Sequence, residues 1–168
     1  MINSYRFFNF IQFFICHELL VAAFYFEYYL GLEPCPLCML SRVTVLALGV
    51  CYLVATLHNP KGFSRKIYHI IISLFSLLGV LISGRHAYLQ SLPADEVPSC
   101  GPGIDYMLDT LPMSEVLKEV LHGSGECAEV SWQFLSLSMP IWMLIIYSTF
   151  LMFALMPLFK RDHNLLFS

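Results

Sequence analysis

Long apolar runs separated by short polar breaks organise this chain. Four of them, at 7–30, 39–57, 67–89 and 140–159, lack the strict alternation of a half-buried strand. A helix needs about 20 apolar residues to cross a hydrocarbon core of about 30 Å, and each run is long enough. Because backbone amides cannot stay unpaired in lipid, the runs predict four transmembrane helices packed as a bundle. A weaker pattern lies in the polar segment 93–139, where Met113, Val116, Leu117, Val120 and Leu121 recur at helical spacing between Pro112 and Gly123. Proline before and glycine after are start and stop signals, so a short amphipathic helix is expected, lying in the membrane interface or packed on the bundle ends. The expected fold is an all-α membrane protein, a four-transmembrane-helix bundle with a short amphipathic interfacial helix in its second outer loop, forming one domain over 1–168.

Composition agrees with that pattern and narrows it. The chain is 58% hydrophobic and 12% charged, with a mean hydropathy of +0.69, which describes a polypeptide that lipid must solvate. The first run is expected to be a membrane helix rather than a cleaved signal peptide, since it is long, carries Glu18 and Glu27 and lacks a small-residue cleavage site.

Cations set the orientation. Arg6 precedes the first span, Lys61, Arg65 and Lys66 lie between the second and third, and Lys160 and Arg161 follow the fourth. By the positive-inside rule both termini are expected in the cytoplasm. The outer loops are then 31–38 and 93–139, and the second carries eight carboxylates against the single cation Lys118. In a bacterium that side is the oxidising periplasm, where disulfides persist.

Four of the six cysteines fall on that side in two pairs, Cys35 with Cys38 and Cys100 with Cys127, while Cys16 and Cys51 lie inside spans. Cys35 and Cys38 stand at the mouth of the second span, with Arg42 one helical turn further in. Two thiols at this spacing can close a small, reducible disulfide, and helix N-terminal N–H groups with a nearby guanidinium stabilise a thiolate. A redox-active dithiol is the leading reading; a structural disulfide and half of a zinc site are the plainer ones. Gly101, Pro102 and Gly103 beside Cys100, and Gly123 and Gly125 before Cys127, suit a disulfide that must be attacked from outside and then reach a second pair.

In this order the motifs are specific. Pro34-Cys35-Pro36-Leu37-Cys38 with Arg42, Arg85-His86-Ala87-Tyr88-Leu89-Gln90, Pro98-Ser99-Cys100, and Ser124-Gly125-Glu126-Cys127-Ala128-Glu129 running through Trp132 to Met139-Pro140-Ile141-Trp142 cover nearly the whole chain. The chain resembles the DsbB disulfide-bond formation proteins of bacterial inner membranes. That resemblance implies a multi-pass inner-membrane thiol:quinone oxidoreductase that reoxidises a DsbA-type periplasmic thiol oxidase and passes the electrons to ubiquinone or menaquinone. It further implies catalytic roles for Cys35, Cys38, Cys100 and Cys127. Cys100 would take the mixed disulfide with the partner, Cys127 would exchange with Cys35, and Cys38 would donate to a quinone held with Arg42 and His86. On the residues alone, His86 reads better as a histidine merely at a helix end, because histidine is common at interfaces. Pro36, Cys16 and Cys51 are not features the family requires; Pro36 is placed to alter the reduction potential, and the extra thiols leave open which cysteines react beyond the four.

The remaining polar groups in the spans say less. An ionisable residue at mid-span ordinarily faces the bundle interior or a cavity, and for His17 and Glu18 a hydrogen-bonded structural pair is a better reading than a proton path. Arg85 can snorkel to the interface. Phe7, Phe8, Phe10, Phe13 and Phe14 read as lipid-facing and core packing, and Trp132 and Trp142 as interfacial anchors. Two other function classes share some of these features. A vitamin K epoxide reductase-like enzyme would carry its cysteine pairs in the reverse order. A non-enzymatic Cys₄ zinc protein would usually draw on two short-spaced pairs, whereas Cys100 and Cys127 are far apart in sequence.

Overall fold

The computed structural model describes residues 4–93, 96–97, 104–123 and 125–159. Four helices are long and apolar enough to cross a membrane: α1 (Ser4–Tyr28), α2 (Pro36–His58), α3 (Phe63–Ser91) and α7 (Met139–Phe159). Between α3 and α7 lie three short helices, α4 (Ile104–Thr110), α5 (Met113–His122) and α6 (Gly125–Ala128), and a two-stranded hairpin, β1 (Gln133–Phe134) and β2 (Leu137–Ser138). The spans start up to four residues earlier than the apolar runs suggest. For α2 the reason is local: Cys35 is its N-cap and Pro36, with its fixed φ, begins the first turn, so Cys38 lies inside the helix.

α1 packs along α2, α2 along α3 and α3 along α7. Inside lipid the hydrophobic effect does not drive helices together, so close packing and buried hydrogen bonds must. Gly79 on α3 supplies the closest approach, since a Cβ there would sit 2.3 Å from the ring of Tyr147 on α7. Tyr147 is fully buried, and its hydroxyl donates to the carbonyl of Ser41 on α2 at 2.9 Å, tying three helices together. Around it Cys16, Val45, Leu48, Tyr52, Ile72 and Phe150 form the mid-bundle core.

A second core caps the bundle at the cysteine end. Leu37, Ile82 and Leu89 of the long helices meet Met107, Val116, Val120 and Cys127 of the short ones. The amphipathic helix therefore forms where its stripe predicts, with Val116 and Val120 buried on the ends of α2 and α3. It stops at Gly123, whose φ of +85° suits glycine and whose Cα faces Leu89 so closely that a Cβ would lie 2.3 Å from it.

Arg6, Lys61, Arg65 and Lys66 gather at the opposite end, where Arg6 donates to the carbonyl of Thr56 at 3.1 Å and Arg65 lies over the ring of Tyr5. Lys160 and Arg161 lie outside the described residues. His17 and Glu18 bond each other at 3.3 Å, but they stand on the outward face of α1, not toward the interior. Asn9, Gln12 and Cys16 occupy the inner face and leave no room for them.

Candidate functional site

The first turn of α2 brings Cys35 and Cys38 together. As N-cap, Cys35 has an extended backbone (φ −67°, ψ 162°), and its Sγ accepts from the backbone N–H of Cys38 at 3.4 Å. The two sulfurs are unbonded thiols 3.0 Å apart, with the Cys35 S–H directed at Cys38. From α3, the buried His86 places Nε2 at 3.8 Å from the same Cys35 sulfur. From α6, the wholly buried Cys127 hydrogen-bonds Cys35. That bond, followed by the one to Cys38 and by burial, holds the Cys35 thiol protonated well above the ordinary range.

Three of the four cysteines singled out from the sequence therefore meet, together with His86. Cys100 lies outside the described residues. The donor atoms of Cys35, Cys38 and His86 all lie within 4.8 Å of one another, a spacing a metal ion could also use.

Beside the thiols is a cavity of about 390 Å³, walled by Leu19, Ala22, Ala23 and Phe26 of α1, Cys38 and Arg42 of α2, Ser83 and His86 of α3, and Met143 and Ile146 of α7. Mostly apolar walls with a few convergent polar groups are what a small organic ligand requires. Two of those groups are unpaired in the protein: Ser83 Oγ and Gln90 Oε1 are buried and have no hydrogen-bond partner among the described residues. Ser83, His86 and Arg42 on this lining are the groups that can donate to the oxygens of such a ligand.

Arg42 reaches the cavity from the side of α1. Its guanidinium pairs with the Glu27 carboxylate, donates to the carbonyl of Ala23 at 3.1 Å and lies 5.5 Å over the ring of Phe24. Glu27 entered the sequence reading only as a mark against a signal peptide. An acidic residue in the last turn of a span with a cation one turn into the next was the signal available for this pair.

The outer wall is aromatic. Trp132 lies 5.0 Å from Phe26 and stacks on Phe134 at an interplanar angle of 8°, and Trp142 donates from Nε1 to the carbonyl of Phe134 at 3.2 Å. Both tryptophans, read from the sequence as interfacial anchors, thus line the cavity. The hairpin turn places Leu135 and Ser136 at positive φ without glycine or asparagine, so no turn signal announced it.

Comparison with known proteins bears on the same residues. The family described as Disulfide bond formation protein DsbB matches residues 5–157, a stretch that takes in all six cysteines. Among curated relatives, Disulfide bond formation protein B of Nitrosococcus oceani is 53% identical over 144 residues, covering 86% of this chain and 85% of that protein. The protein of the same name from Marinobacter nauticus is 46% identical over 151 residues, 90% of each chain. That of Acinetobacter baumannii is 48% identical over 139 residues, 82% of this chain and 81% of the other. Four membrane-length helices, a thiol cluster at one end of them and similarity along nearly the whole length lead to one assignment: the chain belongs to the DsbB family of disulfide bond formation membrane proteins.

Proposed function

We propose that this protein is a thiol:quinone oxidoreductase that reoxidises a DsbA-type dithiol protein and delivers the electrons to a membrane quinone. The observation that carries this reading is that Cys35, Cys38 and His86 meet at the wall of an apolar cavity among the four long helices, with Cys127 bonded to Cys35 behind them. A thiolate of the reduced partner opens a Cys100/Cys127 disulfide at Cys100 and releases Cys127 as a thiol. Cys127 attacks a Cys35/Cys38 disulfide at Cys35 and frees Cys38. The partner's second thiol displaces Cys100 and leaves oxidised, Cys100 closes again on Cys127 and displaces Cys35, and the electron pair comes to rest on Cys35 and Cys38 as thiols. Closing their S–S bond releases two electrons and two protons, which a quinone held in the cavity would accept.

The protein's own groups divide the remaining work. The first-turn N–H groups of α2 favour a thiolate on Cys38. His86 Nε2 is close enough to Cys35 to take up or return its proton. Arg42, fixed by Glu27 at the cavity wall, would stabilise negative charge developing on an oxygen of a quinone held there. The basic bundle end lies in the cytoplasm and the thiol end in the periplasm of a bacterial inner membrane, with α5 along the outer interface.

Turnover tests the reading directly. Purified protein, a reduced DsbA-type protein and ubiquinone-1 are mixed while quinone absorbance is followed. Catalytic loss of quinone is the expected result. No turnover, with one zinc bound per chain and released on Cys35→Ser, would assign the cluster to a metal instead.

A further inference from the structure

An ionisable pair on the lipid-facing side of α1, remote from the thiols, has no evident use in a single chain. His17 and Glu18 stand near the middle of this 25-residue helix, and their side chains are 56% and 60% exposed. Ionisable groups at that depth are costly against hydrocarbon and are found paired or facing protein. Their mutual contact uses one nitrogen and one oxygen. His17 Nε2 and the second carboxylate oxygen of Glu18 have no partner among the described residues. Rotating α1 cannot hide them, because Cys16 is packed inward, 3.3 Å from where a Cβ on Gly49 of α2 would sit.

The same face carries a seven-residue repeat. Phe7, Phe14, Val21 and Tyr28 are all exposed at that interval, with Phe10 and His17 each three residues on. A stripe of this period can face a second, parallel helix along its whole length, where packing and hydrogen bonds would hold the pair in lipid.

We infer that this face of α1 is the contact between two copies of the protein, with His17 of each copy bonded to Glu18 of the other. The occupant follows from charge and depth. Two copies inserted with the same orientation are related by a twofold axis along the membrane normal, so equivalent residues meet at equal depth. A histidine beside a glutamate is then self-complementary, and the two crossed contacts satisfy both free atoms. A different membrane protein would need the opposite polarity at the same depth; a second copy has it by construction.

The test is self-association of the full chain in proteoliposomes, read by energy transfer between fluorescent tags at the C-terminus, and it does not depend on quinone activity. Wild-type copies should associate, and His17→Leu and Glu18→Leu should each weaken association by about tenfold to a hundredfold, because a like pair loses both crossed contacts and one interhelical hydrogen bond in lipid is worth about threefold to tenfold. The decisive arm mixes the two variants. A His17→Leu copy retains Glu18 and a Glu18→Leu copy retains His17, so the mixed pair regains one crossed contact that neither variant has with itself. Energy transfer between unlike variants should exceed that within either one, a result that misfolded protein cannot produce. A monomeric wild type would overturn the inference. So would association that both variants leave unchanged, or mixed pairs no more abundant than like pairs.

Discussion

The two ends of the bundle are built differently. At the basic end the helices are laced together by polar and ring contacts: Arg6 to Thr56, Arg65 over Tyr5, His58 with Tyr68 at 2.9 Å, and Phe8 edge-on to Phe153. At the thiol end α1 and α7 stand apart around the cavity, and short helices and an aromatic hairpin cover the opening. The thiol cluster sits where the helices part. The lesson is that lacing one end of the bundle leaves the other free to open around a cavity without loosening the whole. It also explains why the cap is made differently: Val116 and Val120 lie outside the spans, where removing a side chain of this size from water contributes about 1.5–3 kcal/mol.

Substitutions at the two ends should therefore separate activity from stability. The largest effect is expected at the dithiol, where Cys38→Ser or Cys35→Ser removes one of the two sulfurs that a two-electron transfer needs; quinone reduction should vanish while circular dichroism and thermal unfolding stay close to wild type. Next comes Arg42→Gln, which should lower kcat/KM for ubiquinone-1 by about 10²–10³, the usual loss of one preorganised donor. Glu27→Gln should give a smaller loss of the same kind, because the guanidinium is kept but no longer fixed. If Glu27→Gln raised activity, the pair would be a restraint on Arg42 and not a support. Gly79→Ala should act on the other quantity. Its methyl meets the Tyr147 ring, and destabilisation by about 1–3 kcal/mol is expected with KM for quinone little changed. The smallest effect belongs to the basic end, where Arg65→Gln removes a cation–π contact and should cost about 0.5–1 kcal/mol of stability with no effect on turnover.

Much of this architecture was legible in the sequence because its signals are local. Hydropathy marks a span whatever it packs against, and the Cys35/Cys38 turn carries its own capping and spacing. The stripe of α5, bounded by Pro112 and Gly123, is equally self-contained. What could not be read depends on how helices rotate against one another. Glu27 and Arg42 are 15 residues apart, Ser41 and Tyr147 are 106 apart, and no periodicity says which faces meet. His17 and Glu18 show the same gap in reverse: the pairing was foreseeable from adjacency, the outward direction was not. The aromatic wall was missed for another reason, since Leu135 and Ser136 adopt a turn that such residues rarely adopt.

The central claim is that electrons pass from Cys35 and Cys38 to a quinone without help from the partner protein. A single-turnover experiment tests it most directly. The protein, reduced at its thiols and freed of reductant, is mixed anaerobically with one equivalent of ubiquinone-1, and quinone absorbance is recorded together with mass-spectrometric mapping of alkylated cysteines. The expected result is loss of one equivalent of quinone with a new disulfide between Cys35 and Cys38, and neither change in Cys38→Ser. Unchanged quinone beside two thiols that remain fully alkylatable would contradict it.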